Sequence, residues 1–257
     1  MTAPGLVSDI GTVTGRNLRR LVRVPTLIAF ATVQPVLFVL LFTYAWGGAV
    51  HAPGVAHYID YLLPGIFVLA IAFGASQTAV ATADDLTTGM IDRFRALPMA
   101  RSAVLAGRTA ADAIRNLFVL ALMTGVGSLV GFRFHAGPGA ALAAIGLALA
   151  IGFVFSWIFA LLGLLVRDPE SAGLGGLLAV IPLIFTSSTF VPVATMPGWL
   201  QAFAKINPIT LTVDALRALC LGGPTATHVW QALAVIAGLL AVTVPAAVLR
   251  YRRTTAA

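Results

Sequence analysis

Charge is scarce in this chain. Asp, Glu, Lys and Arg make up 10% of its 257 residues against 59% apolar ones, and the mean hydropathy is +0.97. That balance excludes an ordinary water-soluble domain. Cysteine is nearly absent: Cys220 alone can form no intrachain disulfide and has no thiol partner for a metal. Lys205, in "FAKIN", is the only lysine, so the chain cannot contain the G-x-x-x-x-G-K-[ST] loop that cradles ATP phosphates. The acidic residues are Asp9, Asp60, Asp84, Asp85, Asp92, Asp112, Asp168, Glu170 and Asp214. All are expected outside the apolar runs or at their edges, which leaves no intramembrane carboxylate for proton or sodium coupling. His51, His57, His135 and His228 form no H-E-x-x-H pattern, and no G-x-S-x-G elbow occurs. Ala83–Asp85 could suggest a metal-bound diphosphate, but no second acidic cluster faces it, and helix-end solvation accounts for it better.

What the chain has is apolar length. Six runs come near or exceed the roughly 20 residues a helix needs to cross a bilayer: Thr26–Trp46, Tyr61–Ala83, Asp112–Val130, Gly139–Val166, Leu174–Val191 and Val229–Leu249. Stretches such as "LIAFATVQPVLFVLLF" are apolar on every face, without the alternation of a barrel strand, so helices are expected throughout. The expected fold is an all-α polytopic membrane protein. Residues 1–25 form an amphipathic interfacial helix, 26–250 a single six-span domain, and 251–257 a tail. No cleavable signal peptide is expected, because Arg16, Arg19, Arg20 and Arg23 fall late in the first segment.

The net charge of +7 follows from orientation and needs no nucleic acid. Arginines gather before the first run, between the second and third (Arg93, Arg95, Arg101, Arg108, with Arg115 just beyond), at Arg167, and at Arg250, Arg252 and Arg253. The other side holds Arg133, Lys205 and Arg217. The positive-inside rule puts both termini in the cytoplasm. Trp46, Trp199 and Trp230 then mark the outer interface.

Three segments carry more than span information. In the fourth run Ala140, Ala144, Ala148, Gly152, Ser156 and Ala160 recur four apart, a small-residue ladder suited to close packing within the subunit. Residues 192–226 are too apolar for a free loop and too interrupted to span, which suits a re-entrant or interfacial helical pair with Asp214 and Arg217 bonded three apart. Between the second and third runs, in the loop 84–108, "GMIDRFRALPMAR" mixes apolar and charged residues. Met90, Phe94 and Leu97 fall on one helical stripe widened by Ile91, Asp92, Arg93 and Arg95 flank it, and Pro98 ends it.

"DDLTTGMIDRFRALPMARSAVLAGR", "YLLPGIFVLAIAFGA" and "PESAGLGGLLAVIPLIFTSSTFVPVATMPGWLQAFAKINPITLTVDALRAL" together resemble the permease subunits of type-2 ATP-binding cassette transporters, the daunorubicin-resistance-like permeases above all. The resemblance covers nearly the whole chain. Many relatives carry a Glu shortly before the loop glycine, whereas here Leu86–Thr88 separate Asp84 and Asp85 from Gly89, so either acid is a candidate for that role.

The resemblance implies a permease in a bacterial cell membrane, not itself an enzyme, paired with a second permease copy. A separate pair of ATPase subunits on the cytoplasmic side would bind ATP and magnesium; this chain would hold no cofactor. It implies export of an amphipathic drug, lipid or secondary metabolite, with lipid-linked polysaccharide export as a neighbouring alternative. An intramembrane lipid-modifying enzyme or an ion-coupled transporter would be a different class. Residues 89–98 become the coupling helix that docks on the ATPase. For the cargo path, apolar walls with few polar groups single out Gln34, Phe38, Phe73, Gln77, Phe185, Ser188 and Thr189.

Overall fold

The computed structural model describes residues 3–48, 55, 57–88, 101–166 and 168–254. The expected coupling helix, residues 89–98, lies outside them. The described residues form α-helices and one 3-10 turn, with no strand among them. The helices are α1 Ala3–Arg23, α2 Pro25–Trp46, α3 Tyr58–Thr87, α4 Arg101–Val130, α5 Pro138–Leu165, α6 Pro169–Phe185, α7 Gly198–Ile206, α8 Pro208–Leu221 and α9 Thr225–Thr254.

Five of these (α2, α3, α4, α5 and α9) are long and apolar enough to cross a bilayer by length and composition. The expected span Leu174–Val191 is placed differently. Its helix, α6, begins at Pro169 and stops at Phe185 after 17 residues, and residues 186–191 continue as turns and a bend. Asp168 starts it early, its carboxylate accepting a hydrogen bond from the Ser171 amide at 2.7 Å, which holds that carboxyl below its ordinary pKa. Pro182 weakens its end, because the ring removes a donor from the ladder.

α3 is the centre of the bundle. Every residue from Tyr58 to Ala72 is buried, and α3 packs against α2, α4, α5, α6 and α8. A helix apolar on every side can lie at the centre of a bundle or face lipid; α3 takes the first place, α2 largely the second. Packing is closest where side chains vanish: a Cβ placed on Gly163 of α5 would stand 2.5 Å from the Ala79 carbonyl oxygen of α3. The small-residue ladder of α5 is buried from Ala144 through Ala160, as expected for packing within the subunit.

α1 is helical and packs mainly against α4, with a smaller contact to α2. Val13 is buried, and the Thr14 hydroxyl donates to the carbonyl oxygens of Ile10 at 2.7 Å and Gly107 at 3.0 Å. The interrupted segment after α6 is the expected helical pair, α7 and α8. α8 is mostly buried and lies against α3, α5 and α9. α9 packs along α5 and α8.

Candidate functional site: a polar-walled cavity between α2, α3 and α4

Two polar stripes meet where α3 and α4 run together. On α3, Thr78, Thr82 and Asp85 recur at i, i+4 and i+7; on α4, Arg108, Asp112 and Arg115 do the same. That spacing puts each trio on one helix face. The Thr78 hydroxyl donates to Asp112 Oδ2 at 2.5 Å, and Arg115 Nη1 lies 3.2 Å from Asp112 Oδ1. Arg108 donates to both Thr82 and Asp85, and Arg16 of α1 reaches Asp85 at 3.4 Å. Asp85 thus takes Arg108 and Arg16, and Asp112 takes Arg115. Asp85, unlike its neighbour Asp84, is buried. Asp112 is buried in α4, near the start of the stretch Ala106–Val130 that is long and apolar enough to span. Its partners permit this, since a buried carboxylate is tolerable when paired and hydrogen-bonded.

Beside these stripes lies a cavity of about 380 Å³. Phe30, Ala70, Phe73, Val119 and Leu177 supply apolar wall, while Asn17, Gln34, Gln77, Arg108, Asp112, Arg115 and Asn116 supply polar wall. Two glycines make room for that polar wall. A Cβ on Gly74 would stand 3.0 Å from Arg115 Nη2, and one on Gly152 would stand 2.7 Å from Asn116 Nδ2. Asn17 Nδ2, Arg115 Nε and Asn116 Nδ2 are buried without a hydrogen-bond partner. Such a donor costs about 1–3 kcal/mol left unmade, so this wall has hydrogen-bonding capacity in reserve.

From the cavity a series of rings leads to the opposite end of the bundle. Phe73 meets Phe38 at 5.6 Å between centroids, Phe38 meets Phe42 at 5.9 Å, Phe42 meets Phe190 at 4.7 Å, and Phe190 meets Phe185 at 5.0 Å. Trp46 closes on Phe42 and Phe190 at 5.2 and 5.3 Å. Tilted and edge-on pairs at these separations are favourable aromatic contacts.

The residues singled out in the sequence thus fall in three places. Gln34, Phe73 and Gln77 line the cavity. Phe38 and Phe185 belong to the ring series. Ser188 and Thr189 are buried in the bend after α6: the Ser188 hydroxyl donates to Asp214 Oδ1 at 2.7 Å, and the Thr189 hydroxyl pairs with Ser187 at 2.7 Å. Sequence reading passed over Thr78, Arg108, Asp112, Arg115 and Asn116, although the i, i+4, i+7 spacing of Arg108, Asp112 and Arg115 was a usable signal. Among the described residues no group of three or more His, Cys, Asp or Glu side chains could hold a metal ion.

A helical bundle with a central apolar helix, an interrupted segment after α6 and a cavity beside buried ion pairs defines a multi-pass membrane protein. The family model for ABC-2 type transporters matches residues 8–221, and the chain belongs to that family. It is 36% identical over 232 residues to the daunorubicin resistance ABC transporter permease protein DrrB1 of Streptomyces coeruleorubidus, covering 90% of this chain and 82% of that one. It is 26% identical over 242 residues to a probable doxorubicin resistance ABC transporter permease protein, DrrC, of Mycobacterium tuberculosis, covering 94% and 87%. A probable multidrug ABC transporter permease of Escherichia coli, YbhR, is 24% identical over 204 residues, 75% of this chain and 52% of that one. The chain is accordingly a permease subunit of an ABC transporter, a class that works with an ATPase partner.

Proposed function

We propose that this permease is one membrane half of an ATP-driven exporter that moves an amphipathic drug, lipid or secondary metabolite out of a bacterial cell. A second copy completes the membrane part. ATP and magnesium are bound and hydrolysed in a separate ATPase pair on the cytoplasmic side, where both termini of this chain also lie. The observation that carries this reading is the cavity, whose apolar and polar walls match the two halves of an amphiphile. The drug-resistance relatives point the same way. Residues 89–98 dock on the ATPase through Met90, Phe94 and Leu97.

Reconstitution with the ATPase tests it: amphipathic compounds should stimulate ATP hydrolysis and be carried across. Phe94→Ala should weaken ATPase association by roughly 2 kcal/mol, the cost of losing an aromatic interface anchor. Full association and coupled hydrolysis in both Phe94→Ala and Leu97→Ala would remove the coupling assignment.

A further inference from the structure

Resting on that reading, we infer that the cavity takes uncharged cargo whose polar groups both donate and accept hydrogen bonds, hydroxyls or amides, and discriminates against a charged head of either sign. Gln34 and Gln77 are the residues that read it.

Every charged side chain lining the cavity already has an opposite charge bonded to it. Arg108 is paired with Asp85, and Arg115 with Asp112 at 3.2 Å, while Asp112 also accepts from Thr78 at 2.5 Å. A carboxylate entering here competes with Asp112 for Arg115, and an ammonium competes with Arg115 for Asp112. Either one gives up its water for a wall whose charges are paired, and a buried charge without a counter-charge of its own is unfavourable.

The carboxamides are the groups still open. Asn17, Gln34, Gln77 and Asn116 come from α1, α2, α3 and α4 onto one cavity. Gln34 and Gln77 make no side-chain hydrogen bond among the described residues. Asn17 Nδ2, Arg115 Nε and Asn116 Nδ2 are buried without a partner. A carboxamide carries two N–H donors and a carbonyl acceptor on one uncharged group. The Gln34 and Gln77 amides therefore offer both halves of a hydrogen bond, and the three buried donors add to the donating half. A hydroxyl or amide of the cargo can answer both halves. An oxyanion answers only the donors and an ammonium only the acceptors, so each leaves part of the wall unmet, which weakens its binding. Placement supports the same two residues. Phe30 and Gln34 are four apart on α2, and Phe73 and Gln77 four apart on α3, so each helix sets a ring and an amide on one face.

The test uses the full permease in nanodiscs, with binding to empty nanodiscs subtracted. The probes share one C8 tail: octanamide and octyl glucoside carry neutral donor and acceptor heads, octanoate and octylammonium carry charged ones, and octyl methyl ether only accepts. Equilibrium dialysis below micelle-forming concentrations reads binding. Octanamide and octyl glucoside should bind at least about tenfold more tightly than either charged head or the ether. Octanamide against octanoate is the sharpest pair, since the two have nearly the same shape. The double variant Gln34→Leu with Gln77→Leu keeps side-chain size, removes both amides, and should bring octanamide down to the level of the ether. Should the double variant not fold, Gln77→Glu alone, at an exposed position, puts a carboxylate on the wall and should move the preference toward octylammonium. Octanoate, octylammonium or the ether binding as tightly as octanamide to the unaltered protein would overturn the inference while leaving amphiphile export standing. Unchanged octanamide binding in the double variant, or an unmoved preference in Gln77→Glu, would overturn it as well. If no probe binds and none stimulates the ATPase complex, the export reading itself fails.

Discussion

Two largely buried arginines at opposite ends of the bundle are used in contrasting ways. Arg217 on α8 donates from Nε to the Tyr61 carbonyl oxygen at 2.9 Å, from Nη2 to the Ser188 carbonyl oxygen at 2.8 Å, and from Nη1 to Asp214 at 2.9 Å. Its guanidinium carbon lies 3.6 Å from the centre of the Tyr61 ring, a cation–π contact. Burial pushes its pKa down from the ordinary guanidinium value, while Tyr61 and Asp214 favour the charged form. Tyr58 and Tyr61 donate to the carbonyl oxygens of Phe190 and Ser188 at 2.8 Å each, so the non-helical bend after α6 is bonded from two sides. Irregular backbone survives at membrane depth only where protein satisfies it. Arg115, beside the cavity, has donors left over. The difference separates an arginine whose donors are spent on the fold from one whose buried Nε–H is still unmet.

Breaking the Arg217 network should have the largest effect. Arg217→Met strips donors from the carbonyls of Tyr61 and Ser188 and leaves Asp214 without its cation. The expected loss is about 3–5 kcal/mol, the scale of breaking a buried pair, read as a lowered unfolding temperature in detergent. Arg217→Lys should recover only part of it, since an ammonium cannot reproduce the planar fork. A near-native Arg217→Met would make the bend self-supporting and erase the contrast.

Packing comes next. Gly163→Ala presses a methyl against the Ala79 carbonyl oxygen, and overpacking of this kind costs about 1–3 kcal/mol. Gly146→Ala on the same helix meets nothing within 4 Å and serves as the neutral control.

Cavity residues should behave differently from both. Neither Gln34 nor Gln77 has a side-chain hydrogen bond among the described residues, so Gln34→Ala and Gln77→Ala should stay within about 0.5 kcal/mol in unfolding. Cargo-stimulated ATP hydrolysis should fall all the same. Unchanged hydrolysis in both would take α2 and α3 out of the cargo path.

The smallest effect is expected at Cys220, buried in α8 near Arg217. Burial pushes its thiol up to about 12. Maleimide at neutral pH should therefore leave it unmodified until the protein is denatured. Because the folded pKa is raised, the stabilisation linked to this thiol is intact below the ordinary thiol pKa of about 8.5 and is lost as pH rises from there toward 12. An alkaline unfolding curve identical in Cys220→Ser would contradict that linkage. Rapid labelling of the folded protein would mean that α8 is looser than its contacts indicate.

The apolar runs by themselves determined that the chain is a helical membrane protein, because twenty apolar residues with no amphipathic period have no other stable arrangement in a bilayer. The broken segment after α6 was equally legible, since Pro192, Pro197 and Pro208 with Asn207 interrupt helices locally. So was the Asp214–Arg217 pair, whose partners lie within one helical turn. Gln34, Phe73 and Gln77 could be picked out as unusual span residues, but not as sharers of one cavity. That grouping needs Gln34 of α2 to meet Phe73 and Gln77 of α3, and the Asp85–Arg108 and Thr78–Asp112 contacts likewise join residues 23 and 34 positions apart across two helices. Hydropathy marked Asp112 as a boundary because it scores each charge alone. Only the tertiary structure supplied Thr78, the partner across the helices that helps this carboxylate stay buried, and only it placed Gly74 and Gly152 where the missing side chains leave room for Arg115 and Asn116.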